Sequence, residues 1–154
     1  MRDRQELVRL VARIWRSHYK QQNLYRSLMS MVIPCRLRKL CATGHMSSLV
    51  LKNEINEIYE SIKCPFSDGD LRNITRKEDA QNSDSEHILA TLIDRQKDLA
   101  ASYKLVTTLC HDLETRRICE NHLEKIKDLN QVLQKEHDLI QGLMYPNTAF
   151  ESVA

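Results

Sequence analysis

Apolar positions recur along this chain at three- and four-residue spacing, the period of an amphipathic helix, and they do so four times. The first stripe is Leu7, Leu10, Val11, Ile14, Gln21, Tyr25, Leu28 and Val32, and it predicts a helix from about Asp3 to Ile33. The second is Leu37, Cys41, Gly44, Ser48, Leu51, Ile55, Ile58 and Ile62. Pro34 suits the first turn of that helix, because its missing N–H would have no partner there. The third helix is predicted from about Asp84 to Cys110, through Ile88, Leu89, Leu92, Leu99, Tyr103 and Val106. Ser83 or Asp84 is its expected cap, with Glu86 at its positive end. The fourth runs from about Leu113 to Leu143, through Ile118, Cys119, Leu123, Ile126, Leu129, Leu133 and Ile140. Asp112 is its expected cap, and Gly142 with Pro146 marks its stop.

The fold class expected is all-α: one four-helix-bundle domain over residues 1–145, with a frayed tail at 146–154. It consists of a hairpin at 3–62, a linker at 63–83 and a second hairpin at 84–143. Each helix of roughly 27 residues is about 40 Å long at 1.5 Å rise per residue. A linker of about 21 residues reaches roughly 70 Å when extended, enough to cross the whole bundle, so the expected topology is hairpin, long crossover, hairpin. The halves also repeat. An offset of 78 residues places Leu10 on Ile88, Val11 on Leu89, Ile14 on Leu92, Tyr25 on Tyr103, Cys41 on Cys119 and Ile55 on Leu133.

Tyr25-Arg26 late in the first helix, Pro34 after a short link, the Glu-bearing stretch Leu51–Ile62 and the run Leu133-Gln134-Lys135-Glu136-His137-Asp138 carry a resemblance. Over residues 5–143 the chain resembles the ferritin-like superfamily. Within it, the chain looks most like the bacterial four-helix family of unknown function 2383, known from a Pseudomonas prototype. The resemblance implies the fold and little chemistry.

A ferritin-like di-iron centre needs a carboxylate from each of two helices and a Glu-x-x-His from each of the other two. No Glu-x-x-His occurs here, and the stripe positions at mid-bundle read Gln21, Ser48, Leu51, Leu99, Ile126 and Leu129. The expectation is therefore an aliphatic, chemically silent waist with no cofactor. Cys41 with His45 (i, i+4) and Cys119 with His122 (i, i+3) are candidate metal ligands of the thiolate–imidazole type that suits zinc or copper. Buried cysteine as apolar filler is the commoner use. His18, Gln21 and Gln96 fall on the stripes. They are read as partly exposed edge residues, with a buried polar layer as the alternative. The hydroxyls of Tyr25 and Tyr103 are expected to bond across helices, and Glu136-His137 to be surface charge.

Gly 3 and Pro 3 disfavour a turn-rich β fold and a glycine-cradled phosphate site. Five cysteines, an odd number with no CxxC pair, disfavour a disulfide framework and a zinc ribbon. No nucleophile elbow, Walker loop or HExxH is present, and Cys110-His111 are adjacent helical residues that point apart. With no apolar run of 18 residues and an N-terminus interrupted by arginines, a cytoplasmic protein is expected. Residues 1–62 carry 11 Lys/Arg against 5 Asp/Glu, and residues 86–154 carry 8 against 11. Opposed charge favours association, of the halves or of copies. The function expected is that of a non-enzymatic bundle acting through homo-oligomerisation or a protein partner, with no small-molecule substrate. An anion-binding module is the alternative, taking nucleic acid or acidic membrane at Arg36, Arg38 and Lys39 beside the first hairpin tip. A divergent metal-binding bundle is the third reading.

Overall fold

The computed structural model describes residues 2–63 and 84–144. Four helices account for nearly all of them: α1 (Arg2–Met29), α2 (Cys35–Ile62), α3 (Ser85–Leu109) and α4 (Leu113–Met144). No strand occurs among the described residues, and no helix there is long and apolar enough to cross a membrane. All but the first residue of the linker expected at 63–83, and the tail expected at 146–154, lie outside the described residues.

Sequence explains the helix ends. Asp84 caps α3, its Oδ1 accepting from the His87 N–H at 2.8 Å, and Asp112 caps α4, its Oδ2 accepting from the Thr115 N–H at 3.1 Å. The first helix stops earlier than its stripe predicts. It ends at Met29, and Val32 is fully exposed. Ile33 precedes a proline and so disfavours helical backbone. In addition, the Arg38 guanidinium donates to the carbonyls of Met29 and Met31, taking over acceptors that another helical turn would have used. Pro34 stands just outside α2 as its cap, with extended backbone at ψ 146°, rather than within the first turn.

Around the bundle, α1 packs on α2 and α3, α3 packs on α4, and α4 touches α2. Side-chain bonds fix the sense of each pair. Arg4 and Gln22 of α1 meet Ile62 and Lys52 of α2, and His18 and Gln21 of α1 meet Tyr103 and Gln96 of α3. Likewise Tyr103 and Gln96 of α3 meet His122 and Asn130 of α4, and Glu54 and Arg36 of α2 meet His122 and Glu136 of α4. In each pair one number rises as the other falls, so all four neighbours are antiparallel.

Two apolar clusters fill the interior. One gathers Leu10, Val11, Ile14 and Trp15 with Ile55, Ile58, Leu99, Val106, Cys119 and Ile126. The other gathers Tyr25, Leu28, Leu37, Cys41, Ile88, Leu89, Leu92 and Leu133. Fully burying such aliphatic side chains stabilises by about 1.5–3 kcal/mol each. Lys52 reaches over the stacked rings of Trp15 and Tyr19 and donates to Gln22 Oε1 at 2.9 Å, tying α2 to α1.

Burial follows the 78-residue offset. Leu10 and Ile88, Ile14 and Leu92, His18 and Gln96, Tyr25 and Tyr103, Cys41 and Cys119, Ser48 and Ile126, and Ile55 and Leu133 are all buried. The offset also sets Arg38 on Arg116, and both do the same work. Arg116 donates through Nε and Nη2 to the Cys110 carbonyl at 3.1 and 2.6 Å, just past the end of α3, as Arg38 does past α1.

Candidate functional site

Within the first apolar cluster, one polar side chain from each helix joins a continuous hydrogen-bonded chain. His18 Nε2 lies 2.7 Å from the Tyr103 hydroxyl, which lies 2.9 Å from His122 Nδ1; His122 Nε2 lies 2.5 Å from Glu54 Oε2. Helical period delivers these residues. His18 follows Ile14 by one turn, Tyr103 precedes Val106 by three residues, and His122 lies between Cys119 and Ile126 on the inward face of α4. Glu54 stands at the margin of the α2 stripe, on the side that meets α4.

Proton positions follow from the partners. The Glu54 carboxylate can only accept, so His122 donates from Nε2. A neutral His122 then accepts at Nδ1 from the Tyr103 hydroxyl, and the phenol oxygen accepts from the Nε2–H of His18. That leaves His18 Nδ1 as a bare lone pair, and this atom is indeed buried without a partner. Burial, with the nearby His122 and Lys52 charges, pushes the His18 pKa down to about 3. Burial also lowers His122, against the opposing pull of Glu54. The Tyr103 hydroxyl is pushed well above its usual range, by burial first and then by Cys119 and Glu54. The neutral assignment is therefore self-consistent near pH 7.

Alongside runs a second polar layer. Gln21 Nε2 donates to the Leu92 carbonyl at 3.1 Å and to Gln96 Oε1 at 2.8 Å, and Asn130 Nδ2 donates to the Gln96 carbonyl at 3.3 Å. His18, Gln21 and Gln96 are buried, which corrects their reading as stripe-edge residues. Polar side chains from all four helices thus thread a waist that also buries Leu51, Leu99 and Ile126. Tyr103 bonds across helices as expected. Tyr25 does not, for its hydroxyl is buried without a partner and its ring lies over Gly44. His137, expected as surface charge, is half-buried, and Glu136 beside it is buried and ion-paired with Arg36 at 2.7 Å.

The Cys and His candidates take ordinary places in this core. Cys41 and Cys119 are fully buried, and burial pushes their thiols up to about 11 and about 12, so both stay protonated. His122 spends both nitrogens on Tyr103 and Glu54, while His45 is half-buried on α2. Among the described residues no three or more His, Cys, Asp or Glu side chains are placed to hold one ion. Cys110 is buried, with its thiol 3.5 Å from the Asp112 carbonyl, and His111 is exposed. Of the anion candidates, Arg38 is occupied in ending α1 and Arg36 pairs with Glu136, while Lys39 is exposed on α2.

Glu54 was missed because a charged residue beside a stripe reads as solvated. Its signal is the inward His122 that faces it across α2 and α4. Only Glu54 carries the chain to the surface, its side chain 46% exposed, in a shallow recess shared with Glu57, Ser61, Glu114 and Thr115. No protein-family model, curated protein or solved structure matches this chain.

Proposed function

We propose that the protein is a non-enzymatic scaffold that acts by pairing with a second copy through the outer face of α2. One observation carries this reading. Along that face Arg36 and Lys39 lie near one end, Met46 and Val50 in the middle, and Glu57 and Glu60 near the other, all exposed. Lys39 and Glu57 are equidistant from position 48, which Met46 and Val50 straddle. A second α2 laid antiparallel about that point sets Lys39 against Glu57, with the apolar residues of both copies in contact, while Arg36 and Glu60, ion-paired within the chain to Glu136 and Lys63, flank the contact at its ends. Such an arrangement is two-fold and closed, the commonest symmetry of soluble oligomers. The α2/α4 face, about 40 Å long and two helix diameters wide, offers roughly the 800 Å² per partner of a standard interface.

The non-enzymatic part rests on the interior. The nitrogen and oxygen atoms that link the polar chain serve one another, and the buried thiols are held protonated. We also read the connection of the two hairpins as the ferritin-like one. Arg4 donates to the Ile62 carbonyl, while Glu86, at the start of α3, meets Gln141 near the far end of α4. The antiparallel pairings make α2 and α3 run the same way, as a crossover of the bundle's length requires. We take the location to be cytoplasmic, on the odd number of cysteines and the lack of a CxxC pair.

Sedimentation velocity over a concentration series tests the scaffold reading. The expected result is a dimer that dissociates on dilution and that Val50→Arg converts to monomer without loss of helicity. A monomer at every concentration would refute it.

A further inference from the structure

Opposite the α2 face, α1 and α3 enclose a surface recess of about 240 Å³ whose lining is mostly cationic. Arg13, Arg16 and Lys20 line it from α1, and Arg95 lines it from α3. The three α1 cations lie within eight residues, about 10 Å of helix rise, and sit on the side of α1 turned toward α3. Two hydroxyls, Ser17 and Ser102, complete the lining beside a single carboxylate, Asp98. Four cations against one carboxylate, drawn from two helices that the core holds rigidly together, is the composition of a phosphate site. The arginine fork matches phosphoryl oxygens in paired bonds. Lys20 and Arg95 also interact within the protein, which restrains side chains that would otherwise lose entropy on binding.

We infer that this recess binds a compact phosphate-bearing ligand, its phosphoryl group held by Arg13, Arg16 and Arg95. The volume sets the size class. It falls below the roughly 300 Å³ at which drug-sized pockets begin, so one or two phosphoryl groups with little attached suit it. At present Ser17 Oγ donates to the Arg13 carbonyl at 2.9 Å and Ser102 Oγ to the Asp98 carbonyl at 3.1 Å. Both are bonds within one helix turn, and rotation of the hydroxyl exchanges the helix carbonyl for a ligand oxygen. The site is distinct from the tip residues Arg36, Arg38 and Lys39, and it does not depend on self-association through α2.

Calorimetric titration of the full chain with inorganic pyrophosphate, at about 30 mM salt where screening is weak, is the test. The expected result is saturable binding that Arg16→Gln and Arg95→Gln each weaken by about tenfold, with Lys104→Gln, an exposed α3 cation outside the recess, unchanged. Flotation with phosphatidate vesicles separates a lipid-borne phosphate from a free one. Arg16-dependent binding of either probe supports the site. Absence of both, or binding indifferent to Arg16 and Arg95, overturns it. Melting curves of the two variants keep a folding defect from passing as lost affinity, since both residues are half-buried and Arg95 also interacts within the protein.

Discussion

The hydroxyl of Tyr103 lies 2.9 Å from Nδ1 of His122, and the pair sits in the middle of a chain whose four members come from four different helices. Its nearest counterpart in the first half is Tyr25, 78 residues earlier, which has Gly44 where Tyr103 has His122. The same ring at the same register is thus partnered in one half and orphaned in the other.

Phenylalanine replacements separate the two rings. Tyr103→Phe leaves the His18 N–H and the His122 lone pair buried and unpaired, at about 1–3 kcal/mol for each group. At roughly 2–4 °C per kcal/mol for a chain of this size, the midpoint of thermal unfolding falls by about 4–24 °C. Tyr25→Phe removes a hydroxyl that has no partner, so its midpoint stays level or rises. Calorimetry of both variants checks the contrast.

Gly44 carries the converse. A Cβ at that position would stand 2.3 to 2.8 Å from three carbons of the Tyr25 ring, which is fully buried. Since the ring is packed on all sides, Gly44→Ala should destabilise by about 1–3 kcal/mol or more through overpacking, despite alanine's better helix propensity. Combining it with Tyr25→Leu should recover much of the loss. Additive losses in a double-mutant cycle would show that the two positions do not compete for the same space.

Acid should weaken the fold through His18. Its folded-state pKa of about 3 lies below the ordinary histidine value of 6.5. Between those values the unfolded chain takes up a proton that the folded chain does not, so stability is full above pH 6.5 and declines as pH falls toward 3. His122 shifts in the same direction. The effect amounts to a few kcal/mol, on the order of 1.4 kcal/mol per pH unit. Urea titrations of the parent and His18→Gln at pH 7.5 and 4.5 should show their difference shrinking on acidification; an unchanged difference would show that His18 does not titrate on unfolding.

Much of the architecture was readable because it rests on short-range period. Four stripes, the caps Asp84 and Asp112 and the buried Cys41 and Cys119 all follow from spacing within one helix. What was not readable depends on which helices meet. Glu54 and His122 are 68 residues apart and become partners only when α2 is set beside α4. The end of α1 was overrun because its stripe continues to Val32, whereas the residue that stops it, Arg38, belongs to the next helix. Arg38 and Arg116 could have been paired from the offset that matched Cys41 to Cys119. Their shared task at the two hairpin tips is the more specific sign of duplication, since any two amphipathic helices share aliphatic positions.

A charge exchange on α2 probes the self-association most directly. In the antiparallel arrangement Lys39 of one copy faces Glu57 of the other, so Lys39→Glu alone and Glu57→Lys alone each set like charges together and should weaken dimerisation by about tenfold. The double variant carrying both changes restores opposite charges at both contacts. Sedimentation equilibrium should return its dissociation constant to near the parent value. A double variant as weak as, or weaker than, the single variants would contradict the account.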